Sequence, residues 1–193
     1  MPNHITNRLT VIGEEEQVKK VLDFIKIEEE TDKEVNGIGT IDFNKITPMP
    51  KWVFSGNLGI YEEEKYGEEN CWHKWSIKNW GTKWNAYAQP DERSAENTVY
   101  FQTAWNGVPK LIEKIAWIFP DVTIEYSYCS EDFGYNVAKY IFKDTDSSSY
   151  VPDGGSKEAY ELAMDICKCT AEDENLVYDE EIDNYRYCYR EEE

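Results

Sequence analysis

The stretch from Thr98 to Lys143 constrains the fold more than any other part of this sequence. Thr98 to Trp105 alternates, which predicts a strand with Val99, Phe101, Thr103 and Trp105 on one face, since successive strand side chains point to opposite sides. Asn106-Gly107 leads into a predicted helix with Pro109 near its first position, where a missing N–H costs nothing. Leu111, Ile112, Ile115, Ala116 and Phe119 form its apolar stripe, and Pro120 closes it. Val122 to Tyr128 and Val137 to Lys143 alternate as two further strands, joined through Ser130 to Tyr135. Such a run of elements, with a single stripe on its helix, predicts strands in one sheet with the helix laid over one face.

The first half repeats the theme less regularly. Arg8 to Ile12 reads as a strand with Leu9 and Val11 on one face. Glu14, Glu15 and Glu16 then suit the positive end of a helix whose stripe is Val18, Val21, Leu22 and Ile25. Glu28 to Lys33 is a solvated charge run, and Thr40 to Ile46 alternates with Ile41 and Phe43 inward. Lys51 to Glu69 is irregular, with room for one short helix. Trp72, Trp75 and Trp80 fall on a helical pattern that Gly81 terminates, and Lys83 to Gln89 reads as a strand with Trp84, Ala86 and Ala88 on one side. Pro90 to Asn97 is a turn. A last helix starts after Ser156, an N-cap residue, with Tyr160, Ala163, Met164 and Cys167 on its stripe. This order is that of a split βαβ unit. The expected class is α+β: a ferredoxin-like antiparallel sheet with helices packed on one face, plus an acidic C-terminal extension. Residues 1–147 form the core domain in this reading, and 148–193 an acidic helix and tail.

Composition bounds the function. Hydrophobic residues are 40% of the 193 and aromatics 15%, enough for a folded core without disulfide or metal. No signal peptide is visible at Met1 to Gly13, and no apolar run approaches the ~20 residues a membrane span needs. The five cysteines are odd in number and lack CxxC spacing, so reduced thiols in a cytosol are expected. Cys167 and Cys169, with His4 and His73 elsewhere, fall in no metal-ligand spacing, and no cofactor is expected.

Charge is the strongest global signal, with 39 acidic residues against 20 basic and a net charge of −19. Val151 to Glu193 carries 14 acidic and 4 basic residues, a net of −10, while the preceding 150 carry 25 and 16, a net of −9. A field of this sign argues against direct nucleic-acid binding; it either serves solubility, as in a salty cytoplasm, or forms a surface that competes with nucleic acid for a basic protein partner.

Beyond these patterns, particular residues resemble a known family. They are Asn3 with Asn7-Arg8-Leu9-Thr10-Val11 and Gly13, Phe43-Asn44-Lys45-Ile46 with Pro48-Met49-Pro50, and above all Asn79-Trp80-Gly81-Thr82-Lys83-Trp84-Asn85-Ala86. Phe101-Gln102-Thr103-Ala104-Trp105, Phe119-Pro120 and Glu131-Asp132-Phe133-Gly134 complete the set. Over residues 1 to 145 the chain resembles the phage- and plasmid-borne proteins with a YubB ferredoxin-like domain. The resemblance implies a ferredoxin-like core and an origin in mobile elements, and it implies no activity. His4-Ile5 departs from the Trp-Cys usual there, and the acidic tail beyond Ser147 looks particular to this chain.

No residues assemble a recognisable catalytic set: there is no Ser/His/Asp order and no phosphate-cradling glycine loop. Lys83, Asn79 and Asn85 beside three tryptophans have the makings of a small polar site, but Trp80, Trp84 and Trp105 are expected to build a corner of the core. A nucleic-acid module stacking bases on Tyr100 and Tyr140 is one alternative, and an enzyme with an unrecognised carboxylate site another. The favoured expectation is a non-enzymatic interaction protein, a host-defence inhibitor of anti-CRISPR or anti-restriction type. Its partner is a basic, nucleic-acid-handling effector, and the contacting acids are Glu172, Asp173, Glu174, Asp179, Glu180, Glu181 and Asp183.

Overall fold

A computed structural model describes residues 3–27 and 40–188; the charge run expected at Glu28 to Lys33 lies outside them. Five antiparallel strands form one sheet in the order β2-β1-β3-β4-β5: β1 His4–Ile12, β2 Thr98–Ala104, β3 Thr123–Ser130, β4 Ala138–Lys143 and β5 Asp146–Tyr150. Because β1 is antiparallel to both neighbours, β2 and β3 run parallel with β1 between them. The helix α5, Pro109–Ile118, makes the crossover between them, so the split βαβ order expected from sequence is present. The class is α+β with a ferredoxin-like sheet.

One face of the sheet carries the main core. Leu9 and Val11 of β1 lie opposite Val99 of β2 and Tyr126 and Ile124 of β3, all buried. Over them pack α1 (Glu15–Ile25), α2 (Phe43–Ile46), α4 (Trp72–Trp80) and α5, through Val21, Leu22, Phe43, Trp75, Trp80, Ile112 and Ile115. Removing this apolar surface from water, at roughly 25 cal/mol per Å², is the dominant favourable contribution. Gly81 ends α4 at φ +85, a conformation only glycine adopts cheaply, and its N–H closes on the carbonyls of Ser76 and Ile77. A short helix α3, Ile60–Tyr66, occupies the irregular stretch before α4.

A polar network is sealed inside that core. The Tyr126 hydroxyl donates to Asn7 Oδ1 at 2.5 Å and accepts the Val108 N–H at 2.7 Å. Asn7 Nδ2 donates to the Ile5 carbonyl at 2.9 Å and to Thr103 Oγ1 at 3.0 Å. No buried side-chain nitrogen or oxygen among the described residues lacks a partner, so this network carries no desolvation penalty for an unmade bond.

The opposite face is half covered. Helix α6, Lys157–Cys167, packs Ala159, Tyr160, Ala163 and Ile166 against Cys129 of β3. Ser156 caps it as expected, its hydroxyl accepting the Ala159 N–H at 3.1 Å. The core helices therefore share one face, while the helix of the C-terminal extension takes the other. A two-stranded hairpin follows, β6 Leu176–Asp179 and β7 Asn184–Tyr187. Strand β5 straddles the expected boundary at 147/148.

Several local expectations are corrected. Lys83 to Gln89 is not a strand; it makes a single bridge, Tyr87 to Gln102. Its polar side chains fasten it instead: Asn85 donates to Asp42 at 2.6 Å, and Gln89 donates to the Ile41 carbonyl at 2.8 Å. Residues 43–46 form a helical turn rather than a strand, because Asp42 caps it by accepting the Asn44 N–H, although Ile41 and Phe43 are buried as expected. Trp105 leaves β2 with φ +72 and does not join the inward face of Val99, Phe101 and Thr103. The outward N–H groups of β2 are nonetheless satisfied by the preceding loop, Tyr100 by Ser94 Oγ at 2.9 Å and Ala104 by Thr82 Oγ1 at 3.1 Å. The edge is thereby blunted against foreign strands.

Candidate partner-binding surface

The seven acids expected to meet a partner sit in the lobe formed by the end of α6 and the β6–β7 hairpin. The hairpin is held to the body by several contacts. Leu176 is buried, the Tyr185 ring meets Tyr160 edge-on at 5.8 Å, and Asn184 Nδ2 donates to the Gly155 carbonyl at 3.0 Å. Gly134, at φ +81, lets the lobe close: a Cβ there would stand 2.4 Å from the Tyr160 ring, inside van der Waals contact. The Gly134 carbonyl also accepts the Gly155 N–H at 2.8 Å.

The structure divides the seven into two groups. Glu172, Asp173 and Glu174 lie in the turn after α6, before β6; Asp179, Glu180, Glu181 and Asp183 surround the hairpin turn. With a rise of about 3.4 Å per strand residue, the two groups stand roughly 10 Å apart along β6. Three of the seven have local work. Asp173 accepts the Thr170 N–H at 2.8 Å, and that bond holds its carboxyl below the usual range. Asp179 pairs with Arg186 at 3.1 Å and accepts the Glu181 N–H. Asp183 is bonded by the Tyr178 hydroxyl and by Lys157 Nζ at 2.9 Å, which lower its pKa in that order. Glu172, Glu180 and Glu181 are exposed and make no ion pair among the described residues. Beside the last two, Ile182 is 61% exposed, and Val177 and Tyr187 are also open to solvent. Sequence reasoning found the acids but missed the hairpin, because four-residue strands interrupted by charges show almost no alternation.

The Asn79–Ala86 block resolves into two kinds of residue. Asn79 donates to the Trp75 carbonyl at 2.8 Å, and Asn85 accepts the Phe43 N–H at 2.9 Å; both are structural clamps. Trp80 is buried, its indole N–H donating to the Thr47 carbonyl at 2.8 Å. The expected core corner stops there. Trp84 and Trp105 are 37% and 39% exposed, with Lys83 Nζ between them at 4.7 and 5.5 Å from the ring centroids. Their side chains face out because 82–89 is a fastened loop and Trp105 has already left the strand.

The uncovered half of the second sheet face forms a polar groove of about 510 Å³ beside the end of α6. Arg8, Arg93, Lys139 and Lys168 line it, and each meets a carboxylate: Arg8 and Lys168 meet Asp165 at 2.7 and 2.9 Å, Lys139 meets Glu125 at 2.9 Å, and Arg93 meets Asp91 at 2.6 Å. The hydrogen bond from Arg8 holds Asp165 down at about 2. Arg8 and Lys168 share one carboxylate, but Glu96 also lines the groove, so four cations face four carboxylates and no unbalanced cradle for an anion is left. The two tyrosines considered for base stacking do not cooperate either. Tyr100 lies beneath the Arg93 guanidinium, 4.7 Å from its ring centroid, while Tyr140 pairs with Tyr126 on the opposite face. No group of His, Cys, Asp and Glu among the described residues is arranged to hold a metal ion. No described helix is long and apolar enough to cross a membrane.

With this geometry in view, comparison with known proteins adds one finding. Residues 83–170 match the family model described as a ferredoxin-like domain in Api92-like protein. The match covers just under half the chain, from the tryptophan block through β2, α5, β3, β4, β5 and α6. It supports the ferredoxin-like domain, and it places α6 inside the shared region while ending before the acids at 172–183. No curated protein and no solved structure matches the chain.

Proposed function

We propose that the chain acts without catalysis, by presenting its acidic C-terminal lobe to a basic surface on a protein partner. The observation that carries this reading is the hairpin itself: it is fixed to the body through Leu176, Tyr185 and Asn184, yet offers Glu180 and Glu181 beside the exposed Ile182. Because the hairpin backbone is already held, only side chains are ordered on binding, and two carboxylates next to an apolar side chain suit a protein partner better than a small molecule.

The finer reading is a host-defence inhibitor, of anti-CRISPR or anti-restriction type, whose carboxylates occupy the nucleic-acid channel of a basic effector. The net charge of −19 and the resemblance to mobile-element proteins support it. A second surface, the Trp84–Lys83–Trp105 patch, is favoured by the exposure of both indoles. The experiment is affinity capture from a bacterial lysate with the wild-type chain, the Glu180→Lys/Glu181→Lys variant and Trp84→Ala, each followed by mass spectrometry. The acidic-lobe reading expects basic, nucleic-acid-handling proteins that the charge reversal loses and Trp84→Ala retains. The opposite pattern moves recognition to the indole patch.

A further inference from the structure

Five cysteines are spread through the sequence without any motif, yet the fold brings three of them to one place. Cys129 stands on the β3 face covered by α6, Cys167 is the last residue of α6, and Cys169 follows it after the left-handed Lys168. The sulfurs of Cys129 and Cys167 lie 3.0 Å apart, across 38 residues of sequence. Cys129 is buried, whereas Cys167 is partly open to solvent. Arg93 Nη1 donates to the Cys167 carbonyl at 3.2 Å, placing a guanidinium charge beside that thiol.

We infer that Cys129 and Cys167 are a reversible dithiol pair, converted by a hydroperoxide into a disulfide that ties β3 to α6. The asymmetry of the pair sets the order of steps. The hydrogen bond from Cys129 and the charge of Arg93 favour the thiolate of Cys167, while that same bond and then burial hold Cys129 protonated. Burial likewise pushes Cys169 up to about 11, so it is the poorer nucleophile. The Cys167 thiolate attacks the peroxide oxygen; an S–O bond forms, the O–O bond breaks, and the departing oxygen leaves as hydroxide or alkoxide and takes up a proton. Cys129 sulfur then attacks the resulting sulfenic acid, the S–S bond forms, the S–O bond breaks, and the Cys129 proton leaves with that oxygen as water. Two thiols lose two electrons and the peroxide gains them. A dithiol reductant reverses the change by exchange. The bond would fasten α6, which Asp165 already anchors to Arg8, and with it the hairpin that follows.

The test uses the full chain with Cys188→Ser, to remove the exposed thiol, treated with hydrogen peroxide. Free thiols are then alkylated and the digest is mapped by mass spectrometry. The expected result is one intramolecular bridge, Cys129 to Cys167, with Cys71 and Cys169 alkylated and all thiols restored by dithiothreitol. The melting midpoint should rise by roughly 5–10 °C on oxidation, as a bridge across a loop of this length predicts. Cys129→Ala should abolish the bridge and leave a Cys167 sulfenic acid that dimedone traps; Cys169→Ser should bridge normally. A Cys167–Cys169 or Cys129–Cys169 bridge, or unchanged thiols after peroxide, would overturn the assignment. The map on the cysteines of the core needs no variant at a buried position, so a misfolded Cys129→Ala would not obscure the answer.

Discussion

Single residues in the core show where polar groups have been made obligatory. Tyr126 is wholly buried and its hydroxyl serves both Asn7 and Val108. Tyr126→Phe would strand the Asn7 side-chain Oδ1 and the Val108 N–H without partners, and should cost about 1–3 kcal/mol in urea unfolding. The two kinds of tryptophan differ just as plainly. Trp80→Ala should cost roughly 3–5 kcal/mol, the usual loss for a buried large aromatic, whereas Trp84→Ala should cost about 1 kcal/mol or less because its ring is already partly hydrated. Paired chemical denaturation of the two variants checks the distinction. A reading of spacing alone could not make it, since both residues sit in the same eight-residue block and only the loop fastening of Asn85 and Gln89 turns Trp84 outward.

Among elements, the junction of α6 with the sheet rests on an ion pair that can be titrated. Arg8 holds Asp165 at about 2, against its ordinary 3.8. A depressed carboxylate contributes stability that is fully present above its unfolded pKa and is lost as pH falls through the folded one. Wild-type and Asp165→Asn chains should therefore differ in unfolding midpoint at pH 6, and the difference should shrink between about pH 4 and pH 2. A difference that stays constant over that range would assign the effect to packing. The elements themselves were unequally legible. β1, α1, β2, α5, β3, β4 and α6 followed from alternation, stripes and caps, because each buries one regular face. β5 and the β6–β7 hairpin left no such trace: every residue of β5 is exposed, and in the hairpin only Leu176 is buried. Placement of α6 on the far side of the sheet was equally hidden, since a single stripe states that a helix is covered but not by which face.

At the scale of the whole molecule, a ferredoxin-like body carries a lobe that turns net charge into a located surface. Composition alone leaves −19 as a diffuse property, whereas the fold gathers seven acids at the two ends of one short hairpin; only Asp179 and Asp183 are in ion pairs, which leaves Glu172, Asp173, Glu174, Glu180 and Glu181 without one among the described residues. The candidate site was therefore legible as a stretch but not as a shape. If the lobe is the contact, reversing Glu180 and Glu181 to lysine should leave the fold within about ±0.5 kcal/mol, as exposed substitutions usually do. The most direct measurement is a binding titration of a captured partner against the wild-type and doubly reversed chains, over rising sodium chloride and with duplex DNA as competitor. The acidic-lobe account predicts affinity about tenfold or more weaker for the reversed chain, a steep loss with salt, and displacement by DNA. Equal affinity for both chains, indifference to salt and no competition would contradict it.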